Sequence, residues 1–112
     1  MRNEIFTAVK AVLVSEEEGH ITEIDLDISS SKNEIFRFLK GYATFIGQWP
    51  DIDVVIMKAR ESVFDLMVNR NTLPAPFEDE RVVGPILLVR MDENSDPRDF
   101  TLAEYLEYTR SP

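Results

Sequence analysis

Residues 24–28, IDLDI, alternate without exception: Ile24, Leu26 and Ile28 take every second position and Asp25 and Asp27 fill the gaps. Successive side chains of a strand point to opposite faces, so this run describes a strand with one dry face and one wet face. A strand needs a partner, and AVKAVLV, residues 8–14, supplies an apolar run of the right length just upstream. SEEEGH lies between them, with Gly19 as the turn residue. The three segments predict an antiparallel hairpin with Ile24 and Leu26 inward and Asp25 and Asp27 toward water.

The rest of the chain reads as more strands and two helices. In SSSKNEIFRFLKGY, Ser31 and Glu34 have the spacing of a capping box. Ile35, Phe38, Leu39 and Tyr42 then recur at helical spacing, and Gly41 suits a helix C-terminus, which predicts a helix over about residues 32–40. YATFIGQ predicts a short strand running into a Trp49-Pro50-Asp51 turn. DVVIMKA, 53–59, predicts a buried strand, RES a tight connection, and VFDLMV, 63–68, an alternating strand. The segment 69–80 is a loop, because Pro74 and Pro76 have no amide hydrogen to give a ladder. RVVGPILLVRM predicts the last strand, with Gly84-Pro85 marking a bulge or an edge start. The sum is a single α+β domain over residues 1–112, a mainly antiparallel sheet of about five to six strands with two helices packed on one face.

DENSDPRD, 92–99, poses a choice between a calcium loop and the run-in to a helix. Asp92, Asn94 and Asp96 match the first ligand positions of an EF-hand loop. The sixth position needs glycine and is Pro97; the twelfth needs glutamate and is Ala103. The helix reading is stronger. Thr101 and Glu104 form a second capping box, and Phe100 and Tyr105 flank it as a hydrophobic staple. Leu102, Tyr105, Leu106 and Thr109 would line one face, with Asp96 and Asp99 beside the positive end of the helix dipole.

Composition narrows the function classes. Twenty-one acidic against 12 basic residues leave a net charge of −9. Such a surface repels nucleic-acid phosphates and anionic lipid, so neither direct nucleic-acid binding nor a membrane partner is expected. The absence of cysteine removes disulfides and thiolate chemistry and fits an intracellular setting. The N-terminal MRNEIFTAVKAVLV carries a Glu and a Lys and lacks the small-residue cleavage pattern of a signal peptide. The single histidine, His20, sits on the predicted hairpin tip beside Glu16–Glu18, too few good ligands for a metal. Asp51 and Asp53 read as solubilising groups, as do Asp25 and Asp27. With no Gly-rich phosphate loop and no HExxH, the reading is non-enzymatic, with no catalytic residue, metal or cofactor.

The proline-stiffened NRNTLPAPF, 69–77, is the feature closest to a recognition element. It reads either as a crossover whose Leu73 and Phe77 plug the core or as a stiff loop that offers them to a partner. Trp49 in GQWPD has the same two readings.

Residues 68–108 carry three elements together: Leu73-Pro74-Ala75-Pro76-Phe77 after an Asn-rich approach, the strand from Gly84 to Asn94, and the helix start from Phe100 to Tyr105. In these the chain resembles a family of small uncharacterised proteins from the large DNA viruses of algae. A looser similarity, through Gly41-Tyr42 and Val83-Gly84-Pro85, is to a phage and bacterial domain of unknown function, whose Gly-containing hairpin before the Leu-Pro element is missing here. Neither resemblance brings an activity. They imply a viral protein at work in the host cytoplasm or nucleus, or packaged in a virion.

The expectation is therefore an acidic protein-interaction or regulatory module acting on a host or viral protein. Trp49, Leu73, Pro74, Pro76 and Phe77 would be its anchors. Glu78, Asp79, Glu80, Asp92, Glu93 and Asp96 would be a rim that steers a partner with a basic surface. A mimic of nucleic-acid charge that inhibits a DNA-binding protein, and a minor virion or assembly protein, are the alternatives. A second copy of the chain is an admissible partner.

Overall fold

The alternation is realised over residues 24–26, while Asp27 is half-buried and Ile28 lies past the strand end. In the computed structural model, which describes residues 8–29, 32–62 and 66–110, β1 (Ala8–Val14) pairs antiparallel with β2 (Ile21–Asp27). Leu26 is buried and Asp25 is exposed, ion-paired at 2.6 Å to Lys10 directly across the ladder. The connecting turn closes through the Ser15 amide donating to the His20 carbonyl at 2.9 Å. Gly19 there has a φ of +80°, which a residue with a Cβ adopts only under strain.

The centre of the sheet belongs to β5 (Ile86–Met91), between β1 and β4 (Val54–Ser62), and β3 (Gly41–Trp49) lies outside β4. The strand order is β2-β1-β5-β4-β3, antiparallel throughout, and the two-residue β6 (Pro97–Arg98) pairs with the far end of β5. ILLV earns that central place by being apolar at consecutive positions, so that both faces of the strand are buried. Gly84-Pro85 is neither a bulge nor an edge start. Gly84, at φ +93°, turns the chain in, and Pro85 stands just ahead of the ladder, where its missing N–H removes no bond. Val83 ahead of them forms an isolated bridge with Val68.

A sheet dry on both faces needs two covers. One face carries Val12, Val14, Val54, Ile56, Ile86 and Leu88, and α2 (Leu102–Arg110) packs there with Phe100 and Tyr105. The opposite face carries Ala11, Leu26, Met57, Leu87 and Val89, and α1 (Glu34–Leu39) packs there with Leu39, Ile35 and Phe38. The class is α+β, but the two helices cover opposite faces rather than sharing one.

Other boundaries differ from the sequence reading for local reasons. Residues 60–62 continue β4, with Ser62 opposite Gly41, so RES is not a connection. Of the strand expected over 63–68, residues 63–65 lie outside the described residues and Val68 makes only its bridge. Ser31 also lies outside them; Glu34, its expected capping partner, accepts from the Asp27 amide at 2.8 Å. Asn33 is the N-cap of α1, in the left-handed region at φ 56°. Its C-cap is Lys40 at φ 61°, so Gly41 opens β3 instead of ending the helix. Tyr42 leaves the helix face, is 63% exposed, and meets Phe36 edge-on at 4.8 Å.

The second capping box is present. The Thr101 amide donates to Glu104 Oε1 at 3.0 Å, and the Glu104 amide donates to Thr101 Oγ1 at 3.1 Å. The staple forms too, with the Phe100 and Tyr105 rings 6.3 Å apart. The buried stripe of α2 is Leu102, Tyr105 and Tyr108, while Leu106 and Thr109 face water.

Candidate functional site

The loop 69–85 is tied down before it reaches its prolines. Asn69, 8% exposed, donates from Nδ2 to the Val14 carbonyl at 3.1 Å and the Gly84 carbonyl at 2.9 Å. Asn71 donates from Nδ2 to the Ser15 and Glu17 carbonyls, and its Oδ1 accepts from the Gly19 amide at 2.8 Å. The Asn-rich approach is thus a clamp on the β1–β2 turn. Leu73 then drops into the core beside Val82. The Trp49 indole N–H donates to the Ala75 carbonyl at 3.0 Å, and Phe77 meets Trp49 edge-on with centroids 6.0 Å apart.

This placement divides the residues expected to bind a partner. Trp49, 1% exposed, and Leu73 are core side chains and do not stand on the surface as anchors. Phe77 and Pro74 are half-buried, and Pro76 is exposed with Glu78, Asp79 and Glu80. Asp92 leaves the rim for a structural reason. Its Oδ1 accepts the Asn94 and Asp96 amides at 2.9 and 3.0 Å, and its Oδ2 accepts from Arg98 Nε at 2.9 Å. Those amides, Asp96 foremost, together with Arg98, hold its carboxyl below the ordinary carboxylate value. It organises the β5–β6 turn, while Glu93 and Asp96 remain exposed. The calcium-loop residues therefore form a hydrogen-bonded hairpin turn.

Trp49 has a different use, as the backing of an aromatic wall. Tyr108 meets it at a tilt with centroids 5.4 Å apart, and Tyr105 likewise at 6.3 Å. In front of Tyr108 opens a cleft of about 280 Å³ lined by Ile52, Arg90, Phe100, Glu104, Glu107 and Tyr108. Two strands and a helix fix its walls. The Phe100 amide donates to the Lys10 carbonyl at 2.9 Å, and the Lys10 amide donates to Asp99 Oδ1 at 2.8 Å. Glu23 of β2 accepts the Leu102 amide at 2.9 Å, taking the place at the helix N-terminus expected of Asp96 and Asp99.

Arg90, the penultimate residue of β5, reaches into the cleft, and its charge is largely consumed. Nε donates to the Ile52 carbonyl at 3.0 Å. Nη1 donates to the Asp99 carbonyl at 3.0 Å and to Glu104 Oε2 at 2.8 Å. The guanidinium lies 5.1 Å from the centre of the Phe100 ring. Glu104 is held ionised below its ordinary value by the Thr101 amide first and then by Arg90. At neutral pH it is an acceptor and no proton donor. Glu107, one turn on, is 80% exposed and only 3.8 Å from Arg110. Burial and the negative charge of Asp51 both push the Tyr108 hydroxyl above its ordinary value.

The mouth therefore sets an aromatic face beside Glu107, which also meets exposed Arg110 at 3.8 Å, with the charge of Asp51 acting on Tyr108 from outside the lining, while Arg90 is committed to the floor. Such a place attracts a cation, above all one with a flat or aliphatic stem to lie on Tyr108. Among the described residues its lining holds no Ser, Thr, Cys, His or Lys, and no group of three His, Cys, Asp or Glu could hold a metal. Sequence reasoning missed Arg90, Glu107 and Tyr108 as a unit. One signal was there: an arginine closing a run as apolar as ILLV has to find carbonyls and a carboxylate nearby.

Residues 12–108 match a family described as a family of unknown function, DUF5880. No curated protein and no solved structure matches the chain.

Proposed function

We propose that this chain, which belongs to the DUF5880 family of unknown function, is an acidic protein-interaction module that takes a basic side chain of its partner into the Tyr108 cleft. The observation that carries this reading is the pairing of an aromatic wall, Tyr108 backed by Trp49, with carboxylates at the mouth while the cleft's own cation is engaged. The net charge of −9 supplies long-range steering toward a basic surface. Exposed Glu78–Glu80, Glu93 and Asp96 extend that field. Mimicry of a nucleic acid is less well served. Asp25, Asp92 and Glu104 are each held at 2.6–2.8 Å by a cation of the chain itself, tighter than the exposed 3.8 Å contact of Glu107 with Arg110, and a phosphate analogue needs its charge free. The resemblance of residues 68–108 to small algal-virus proteins favours a target inside an infected cell.

Selection from a random peptide display library against the wild-type protein tests the reading. Peptides with Arg or Lys flanked by apolar residues should be enriched, with binding that weakens as salt rises. Glu107→Lys, an exposed substitution, should abolish capture without moving the melting temperature. Enriched peptides without a basic residue, or binding indifferent to Glu107→Lys, would show that the cleft is not the docking place.

A further inference from the structure

Among the described residues the sheet ends in β2 on one side and β3 on the other, and the two edges are built differently. β2 carries Glu23, Asp25 and Asp27, and charge along an edge is the usual guard against strand pairing. β3 reads GYATFIGQW and has no charged residue in nine positions, in a chain that is 29% charged. Tyr42 and Phe45 are each 63% exposed on it. An uncharged edge strand of that length with two open aromatic rings is a surface for adding a strand.

We infer that β3 pairs antiparallel with β3 of a second copy, joining two sheets through a two-fold axis near Phe45. This rests on the edge and shares with the cleft only the nearby charge of Asp51. Three features select a second copy over a foreign strand. Phe45 is the middle residue of Gly41–Trp49, so a two-fold there brings the two Phe45 rings opposite each other on one face, the favoured aromatic cross-strand pair. The same operation sets Tyr42 against Gln48 of the second copy. It also carries exposed Lys40, one residue ahead of β3, to the Pro50-Asp51 end of the other strand, and does so twice by symmetry. A parallel pairing would instead oppose lysine to lysine. Finally, two bodies of charge −9 repel wherever acids meet, and β3 is the strand edge where they need not.

The association is weak. The ladder is irregular between Gly41 and Ala43 and again between Phe45 and Gly47, which bends the strand on both sides of the proposed axis. Four ring faces and one strand pair also bury less than the roughly 1,200 Å² of a standard stable interface. It strengthens with salt, because repulsion between the two bodies reaches about 30 Å at 0.01 M ionic strength and about 8 Å at 0.15 M. This is opposite to the salt dependence of basic-peptide binding at the cleft.

Sedimentation equilibrium of the full chain from micromolar to millimolar concentration provides the test. The weight-average mass should rise from the 12.9 kDa of one chain toward twice that value, and at lower concentration in high salt. Phe45→Lys and, separately, Gln48→Lys, both at exposed positions, should hold the mass at one chain with melting unchanged. Thr22→Lys on the β2 edge should leave dimerisation intact. A monomer at every concentration and salt would overturn the inference. So would a dimer that survives both β3 substitutions, or one lost on Thr22→Lys, which would place the contact on β2.

Discussion

Gly47→Ala should destabilise the protein, and the cause can be isolated. A Cβ at residue 47 would lie 2.5 Å from Cζ and 2.7 Å from Cε1 of Phe77. Carbon atoms settle at about 3.5 Å or more, so the ring must retreat by about 1 Å. It is poorly placed to do so. Trp49 stands against it at 6.0 Å between centroids, and its own backbone is held on both sides, by Phe77 N to Pro74 O and Glu80 N to Phe77 O, each at 3.1 Å. Overpacking of this kind costs about 1–3 kcal/mol. Alanine returns about 0.4–1 kcal/mol by narrowing the unfolded ensemble, leaving a net loss of about 1–2 kcal/mol. For a domain of this size that is a fall of about 4–8 °C in melting temperature. Urea denaturation of a double-mutant cycle checks the cause. Phe77→Ala alone should cost less than the roughly 3–5 kcal/mol of a fully buried phenylalanine, since Phe77 is half-buried. In that background Gly47→Ala should turn neutral or stabilising, a coupling of about 1–3 kcal/mol. Additive losses would refute the contact as the cause.

Asn69→Asp should cost at least about 2 kcal/mol by urea denaturation, because it replaces the donor facing the Val14 and Gly84 carbonyls with an oxygen. Thr101→Ala should cost about 0.5–2 kcal/mol by the same measurement, through loss of the observed cap on the Glu104 amide. Burial pushes the Tyr105 hydroxyl up to about 12. A phenol whose folded value is raised keeps its full contribution to stability below the unfolded value near 10 and loses it as pH climbs from there toward 12. An alkaline melting series should show that loss, and Tyr105→Phe should flatten it. Glu104 has the opposite sign: its lowered value means stability present above its ordinary value near 4.5 and lost as acid protonates it. Glu104→Gln should weaken the acid dependence of melting below that pH.

What could be read from the sequence was whatever depended on neighbours a few positions away. The alternation in β2, the Thr101–Glu104 box and the Phe100–Tyr105 staple are local, and all three stand where the spacing put them. The side of the sheet that each helix covers is not local. It depends on which residues of β5 face which way, and ILLV, apolar on both sides, is equally compatible with helices together or apart. Trp49 and Leu73 were ambiguous for a related reason. Their burial is decided by the return of the loop from residue 69, and the anchor of that return is a pair of asparagines that resemble any polar loop until their carbonyl partners on β1 are known. Arg90, Glu107 and Tyr108 come from a strand and a helix whose meeting depends on Asp99 and Phe100 bonding Lys10. No short window of sequence contains that contact.

The strand order also sets a timetable for synthesis. β1–β2 and β3–β4 are hairpins of near neighbours, available soon after residue 62 is made. The strand that joins them, residues 86–91, emerges later and must slide between β1 and β4 to complete both ladders. Until then each hairpin holds out a bare inner edge rich in valine, with nothing between the two. Chains crowded on one message pass through an interval in which the inner edge of one can capture that of its neighbour. Moving residues 86–91 ahead of β1 by circular permutation would shorten that interval, and the yield of soluble protein should record the difference.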